Sequence, residues 1–424
     1  MDDSDLVAES VTRFALDLYC EIGKVEGNLF FSPVSIAIAL SMTLAGAKGE
    51  TAREMARTLN LPDLEPSGLH AAFGFLLSDL SYEYAQPEGD EFWYEPNTQA
   101  ASGEKVVDPT ACLVRMANAI WGQAGLEFLQ SYRHVLKSFY ESELHQVDFA
   151  ANPQQARRRI NSWVADKTLD KIPELLPPGI LNEITRLVLT NAVYFKAQWN
   201  HPFSESETKQ QPFFLMEGTT QPVDMMHIID DFWYTEDDLV QVLSLPYAGG
   251  RFVMLIILPK EKNGLRDVES RLSFERLRDW RKSLTCVEVD LLLPKFEFRQ
   301  QIMLTDVLRE MGMRLAFDDT ADFSGMAGIE PLKKNDERLK PENLPQNIDE
   351  LPIVISEFIH EAFINLDEKG AEAAAATGVV IMLGGIPDEE PKVEFHADHS
   401  FGFAIMETSK GVPLFMGRME APKP

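Results

Sequence analysis

The sequence predicts an α+β fold with helices gathered ahead of large mixed sheets. Three features carry this. Apolar residues recur at helical spacing through the first part of the chain. From about residue 210 the pattern turns to strands separated by tight turns. No regular alternation of strand and helix runs through the sequence. With 424 residues, 45% hydrophobic and 25% charged, the chain can bury the core of one large domain or two ordinary ones.

In chain order, residues 5–23 read as a helix with Val11, Phe14, Ala15, Leu18 and Tyr19 on one face. Ser32-Pro33 opens a second helix over 33–46, the serine as cap and the proline in the first turn; Gly46-Ala47-Lys48-Gly49 ends it. A short helix runs from Thr51 to about Leu59. Residues 84–110, rich in Asp, Glu, Pro, Gly, Asn and Ser with Trp93 among them, read as an inserted polar loop. Buried strands are expected at 112–121 and 185–195, the second bounded by Trp199, with a helix at 154–168 between them. Short strands follow from 210 to 300, with turns at Gly249-Gly250 and Lys262-Asn263-Gly264. Helical segments lie near 265–283 and 302–314. A second polar insertion fills 329–350. Strands are then expected at 353–366, 392–396, 402–408 and 413–418.

The formal net charge of −28 argues against nucleic acid, heparin or anionic lipid as the main partner. No apolar run has the length of a membrane span; Phe252 to Leu258 reads as a buried strand. Met1-Asp2-Asp3-Ser4-Asp5 has no basic region leading into an apolar one, so it does not read as a signal peptide. Cys20, Cys112 and Cys286 are few, odd in number and set in apolar patterns, and are expected to be reduced core thiols. The chain has no Asn-x-Ser/Thr sequon. The expected compartment is the cytosol, the alternative being a secreted form whose leader is absent here.

No catalytic signature is present, neither a Gly-x-Ser-x-Gly elbow nor a phosphate-cradling glycine loop. His360-Glu361 lacks the second histidine of a zinc-protease helix. His396-Ala397-Asp398-His399 has metal-ligand residue types, but so few residues between a strand and its turn do not make a site without distant ligands. Glu236-Asp237-Asp238 reads as solvated turn residues rather than general acids. No enzyme activity, cofactor or metal is expected.

The most informative stretch runs from Asp367-Glu368-Lys369-Gly370 through Ala371-Glu372-Ala373-Ala374-Ala375-Ala376-Thr377 into Val379-Val380-Ile381-Met382-Leu383-Gly384-Gly385. It has the small side chains of a segment able to slide into a sheet, and it resembles the reactive-loop hinge of the serpins. Other segments match that family in order: Asn28 to Ile36 with Leu44 to Gly49, Ile160-Asn161-Ser162-Trp163-Val164, Leu189 to Trp199, Asp318 to Gly325, Phe395 to Phe401, and Leu414 to Arg418. Their number and order, rather than any one of them, make the resemblance specific. It covers nearly the whole chain except the two insertions. It implies a single serpin domain over 1–424, with a large central sheet, smaller sheets, a helical cluster and an exposed reactive loop at about 368–390. It also implies that Ser32, Ser35, Asn191 and His360 form the family's shutter, a polar cluster behind the opening in the central sheet. By the same resemblance Trp199 sits where the family has its breach tryptophan, near the point where the loop first enters. The hinge comprises Glu368, Gly370, Ala371, Glu372, Ala373, Ala374, Ala375, Ala376 and Thr377.

The loop has the properties insertion demands. Alternation puts Ala371, Ala373, Ala375, Thr377, Val379 and Ile381 on one face, small and then apolar, with Glu372 on the other. From Glu368 to Leu383 the extended chain spans roughly 50 Å at ~3.3 Å per residue. A domain of this length is about 50–60 Å across. The family implies a suicide substrate that is cut, held as an acyl complex and inserted. The alternative is a non-inhibitory member with a binding, chaperone-like or storage role. Such members tend to carry bulky, charged or proline hinge residues. This hinge has only Lys369 at its edge and Glu372; Ala371 departs from the more usual Thr or Ser.

Counting by the family's spacing from Glu368 places the residue before the cut at Gly384, giving Gly384-Gly385. One residue earlier is Leu383-Gly384 and two earlier Met382-Leu383. Leu383-Gly384 is the preferred reading, because an apolar pocket gains ~1.5–3 kcal/mol from a filled side chain. The expected partner is a chymotrypsin-like or elastase-like serine protease, held in a covalent complex, with a papain-like cysteine protease as the cross-class alternative. No Arg or Lys lies between Thr377 and Asp388 to suit a trypsin-like enzyme. The absent leader, the absent sequons and the Arg418 to Pro424 tail resemble the ovalbumin-like intracellular branch, which implies a monomer.

Overall fold

The hinge of the chain is set by two sheets, and nothing local in the sequence says which strands will meet in them. The computed structural model describes residues 2–80, 84–86, 108–332, 352–371 and 393–422. The first part holds helix α1 (Asp3–Ile22), strand β1 (Leu29–Phe31), α2 (Pro33–Leu44), α3 (Gly49–Thr58), α4 (Pro66–Leu80), β2 (Tyr84–Gln86), β3 (Asp108–Gln123), α5 (Gln130–Tyr140), β4 (Leu144–Val147), α6 (Pro153–Lys167) and β5 (Leu187–Gln198). The middle holds β6 (Lys209–Phe214), β7 (Thr220–Glu236), β8 (Val240–Pro246), β9 (Phe252–Pro259), α7 (Leu265–Ser270), α8 (Phe274–Ser283), β10 (Thr285–Pro294), β11 (Phe296–Met303), α9 (Leu304–Glu310) and α10 (Ser324–Ala327). The last part is β12 (Ile355–Asp367), β13 (Gly370–Ala371), β14 (Val393–His396), β15 (Phe401–Glu407) and β16 (Pro413–Met419). This is the α+β architecture read from the sequence.

Among the described residues one sheet runs β1-β16-β15-β9-β8-β7-β10-β14, with β6 on β7. The other runs β11-β12-β13-β5-β3-β2, with β4 on β3. The apolar run of β9 is buried at every position because both of its faces are covered. β11 instead alternates, with Phe296, Phe298 and Ile302 inward and Glu297 and Arg299 outward. The main core lies between the sheets and around α1 and α2. A second, smaller core lies on the opposite face of the β5 sheet. There α6 sets Ile160 and Val164 against Trp121, Tyr194 and Phe363.

Several details differ from the sequence reading. α4 and α5 were not anticipated. Gly74 weakens the helical pattern of α4, yet it is required: a Cβ there would lie 2.6 Å from the Phe139 carbonyl of α5. The helix expected over 265–283 is two helices, broken at Arg271 to Ser273, where Ser273 caps α8. Ser32 stands at the cap position of α2, but its hydroxyl donates to the Leu414 carbonyl instead (2.6 Å). Cys112 is a buried thiol as expected; Cys20 and Cys286 are exposed, so the reading of three core thiols is corrected for these two. Both sit on amphipathic elements, where apolar neighbours in sequence do not put a residue on the apolar face. Most of the insertion at 84–110 and of that at 329–350 lies outside the described residues.

Candidate functional site

β5 and β12 run side by side in parallel, from Leu187 opposite Ile355 to Tyr194 opposite Phe363. Above this seam the two strands part, and β13 lies between them. Gly370 and Ala371 pair antiparallel with Asp367 and Leu366 on one side and with Gln198 and Ala197 on the other. The chain therefore turns back from β12 and starts down the seam it has just formed. Gly370 is obligatory there. Its φ is +141°, and a Cβ would stand 2.1 Å from the Ala197 carbonyl oxygen.

Half-way along the seam lies a buried polar row. Asn118 on β3, Asn191 on β5 and His360 on β12 are in register across three adjacent strands. Ser32 and Ser35, at the start of α2, approach from the main core; Ser32, Ser35, Asn191 and His360 are fully buried. The Ser32 amide donates to His360 Nε2 (3.1 Å), which fixes the tautomer. Nδ1 must carry the hydrogen, and it donates to Asn191 Oδ1. The Asn191 amide donates to Ser35 Oγ (2.7 Å) and to Asn118 Oδ1 (2.6 Å), and Ser35 Oγ donates to Asn118 Oδ1 (2.9 Å). Burial pushes the His360 imidazole down to about 3, so it is neutral. The four residues read as a shutter are thus one connected network. Asn118 was missed, although an amide inside the apolar run of 112–121 was its signal.

The hinge is gripped where it leaves β12. Asp367 Oδ1 accepts the amides of Lys369 (2.8 Å) and Gly370 (3.3 Å), making a tight turn. The Trp199 amide donates to the Lys369 carbonyl (2.8 Å) and the Phe203 amide to that of Glu368 (2.8 Å). The Trp199 indole donates to the Asp367 carbonyl (3.0 Å) while its ring stacks on Tyr247 at 4.4 Å. The Glu368 carboxylate, 8% exposed, pairs with Lys295 (2.9 Å) and accepts from the Thr208 hydroxyl (2.8 Å). Burial opposes its charge, but the bonds from Lys295 and Thr208 prevail and hold it below the usual carboxylate range. Trp199 and Glu368 were legible in the sequence; Lys295, Thr208 and Asp367 as hinge partners were not.

The readings on Glu372, Ala373, Ala374, Ala375, Ala376 and Thr377, and on the bond at Met382, Leu383, Gly384 and Gly385, lie outside the described residues. The histidines flagged beyond the hinge serve the framework: His399 bonds Asp398 and the Pro259 carbonyl (2.7 and 2.8 Å). Asp237 caps a turn by accepting from the Leu239 and Val240 amides and from Trp280 and Arg276. Against the cost of burial these bonds bring it down to about 2.

A mixed sheet with a parallel seam, a buried polar row along it and a short strand paired between its two members at one end is the architecture of the serpins. The chain belongs to that family: the serpin (serine protease inhibitor) family model matches residues 9–422. It is 38% identical over 418 residues to an uncharacterized serpin-like protein of Thermococcus kodakarensis, covering 98% of this chain and 86% of that one. It is 34% identical over 421 residues to the leukocyte elastase inhibitor of Bos taurus, covering 97% and 98%. Uncleaved ovalbumin superposes with a TM-score of 0.78 at 25% identity, covering 98% of this chain and all of that one.

Proposed function

We propose that this protein inhibits an endopeptidase of apolar specificity as a suicide substrate: the loop is cut, and the hinge then zips down the β5–β12 seam before the acyl-enzyme is hydrolysed. The observation that carries this is β13, paired on both sides above a closed seam. Extending its register by one residue per step brings Ala373 level with Phe195 and Ile364, and Thr377 level with Asn191 and His360. Ala371 faces the main core, as do its partners Ala197 and Leu366. Alternation then turns Ala373, Ala375 and Thr377 to the same core and Glu372 towards the α6 side, level with Lys196. This is the division of faces that the sequence suggested.

The driving force follows from pairing. The closed seam is one parallel ladder; an inserted strand replaces it with two antiparallel ladders, which are more stable per residue. The uncleaved form is then held by a barrier rather than by being the most stable state. Opening the seam breaks the His360–Asn191 bond, and α6, packed across the same strands, has to give way. The similarity to the leukocyte elastase inhibitor supports an apolar-specific target, and Leu383-Gly384 is the proposed bond. The exposed free thiols Cys20 and Cys286 support a reducing compartment, the cytosol. Recovery of the native protein from a secreted fraction would sink that assignment.

The test is to mix the protein with chymotrypsin, pancreatic elastase and cathepsin L, run denaturing gels and weigh the released C-terminal peptide. A gel-stable complex with either serine protease and a peptide starting at Gly384 are expected. Clean cleavage by all three without a complex, and without added thermal stability of the cut protein, would mark a non-inhibitory member.

A further inference from the structure

The turn that grips the hinge is itself fastened to the larger sheet through a histidine. Residues 199–203 supply the two amides that hold the Lys369 and Glu368 carbonyls, so this turn is a clasp on the hinge. On one side it is fixed to the β8 end: the Asn200 amide donates to the Pro246 carbonyl (3.0 Å), and Trp199 stacks on Tyr247. On the other side the fastening is His201, midway between the two donating amides. Its Nδ1 meets Asp230 Oδ2 on β7 at 2.5 Å, with side-chain exposures of 30% and 19%. The imidazole packs beside the Phe232 ring, 6.4 Å between centroids.

We propose that His201 and Asp230 form a proton-dependent anchor for this clasp, so that acid keeps the hinge gripped and rising pH frees it. Among the described residues, charged groups that bear on His201 include Asp230 and Asp231, both on β7. The Asp230 bond raises the imidazole above its ordinary value. Burial opposes this, and the charges of Asp230 and Asp231 add to the rise. Asp230 in turn is disfavoured by burial but held low by the bond and charge of His201. A group raised on folding contributes its full stabilisation below the free imidazole value of about 6.5. It loses that contribution as pH climbs through the raised value. The window for release thus lies above about 6.5. His201 acts as a positioning residue: it works through the Trp199 and Phe203 amides.

The consequence for inhibition rests on the insertion reading above; the anchor does not, and the test separates them. Amide hydrogen exchange of the full, uncut chain is followed from pH 6 to pH 8.5 as protection factors, which removes the intrinsic pH dependence of exchange. In the parent, protection at Trp199 and Phe203 is expected to fall severalfold as the imidazole loses its proton. Buried amides of β9 should hold steady. His201→Arg, a cation throughout the range, should keep protection high and flat; His201→Gln should be low and flat. Constant protection in the parent, or an unchanged slope in His201→Gln, overturns the proposal. In parallel, a fluorescent peptide copying residues 371–382 is offered to each protein. It should enter faster at pH 8.5 than at pH 6 in the parent and at one rate in His201→Arg. A normal exchange slope with no peptide uptake at any pH would keep the anchor and reject the insertion reading instead.

Discussion

His360 donates its Nδ1 hydrogen to Asn191 Oδ1 across the parallel seam between β5 and β12. The bond joins β12 to β5, and through Ser32 and Ser35 it joins both to α2. His360→Ala should therefore leave the buried Ser32 amide without an acceptor and open a cavity. A loss of about 3 kcal/mol is expected from the two effects. Asn191→Ala should cost about 2–3 kcal/mol, since it strands the buried His360 hydrogen and opens a cavity in the polar row. Urea denaturation of the uncut protein measures both. A loss under about 0.5 kcal/mol for either would show that the row holds nothing.

The same histidine sets an acid limit. His360 is brought down to about 3 by burial, and His70, buried beside the Tyr140 hydroxyl, to about 4. Below the free value of about 6.5 the unfolded chain takes up protons that the native state refuses. Stability should be fully present above 6.5 and should fall as pH drops towards 3–4. Urea midpoints at pH 7.5 and pH 5 test the sign, and His360→Asn should reduce the difference. A midpoint that rises on acidification to pH 5 would contradict the assignment.

Gly370→Ala forces a side chain into a left-handed residue whose Cβ would strike the Ala197 carbonyl. Strain of about 1–3 kcal/mol at such a position is enough to dislodge β13 from both neighbours. The expected result is slower trapping with the loop still cut, read as more inhibitor consumed per protease captured. Unchanged stoichiometry would mean that β13 is not the start of insertion.

In the register proposed for the inserted strand, Ala373→Arg would bring a guanidinium level with Phe195 and Ile364, both in the main core. An unpaired charge there is too costly to bury, so the variant should behave as a substrate with its uncut form unharmed. Full retention of trapping would rule out the register proposed for the inserted strand.

Much of this was legible in the sequence for physical reasons that vary from residue to residue. The small-residue alternation around Ala371 is local, so a division of faces could be proposed before any partner strand was known; past Ala371 it lies outside the described residues. Ser32-Pro33 announced a helix start, though not that its hydroxyl would serve β16 rather than the helix. The parallel meeting of 187–194 with 355–363 was not legible by pattern: nothing in either segment names the other, and both are largely buried on both faces. Lys295 and His201 escaped notice for a related reason. A single charged residue near a turn looks solvated until the fold brings Glu368 or Asp230 to it.

The central claim is that cutting the loop lets the hinge fill the seam, and the melting temperature of the loop-nicked protein tests it without knowledge of the true target. The loop is cut with a non-target protease and the nicked and intact proteins are melted side by side. The account predicts a rise of about 10 °C or more. With roughly 2 cal/mol/K of unfolding entropy per residue, that is about 9 kcal/mol for a chain of this size. A nicked protein that melts with the intact one would contradict the account.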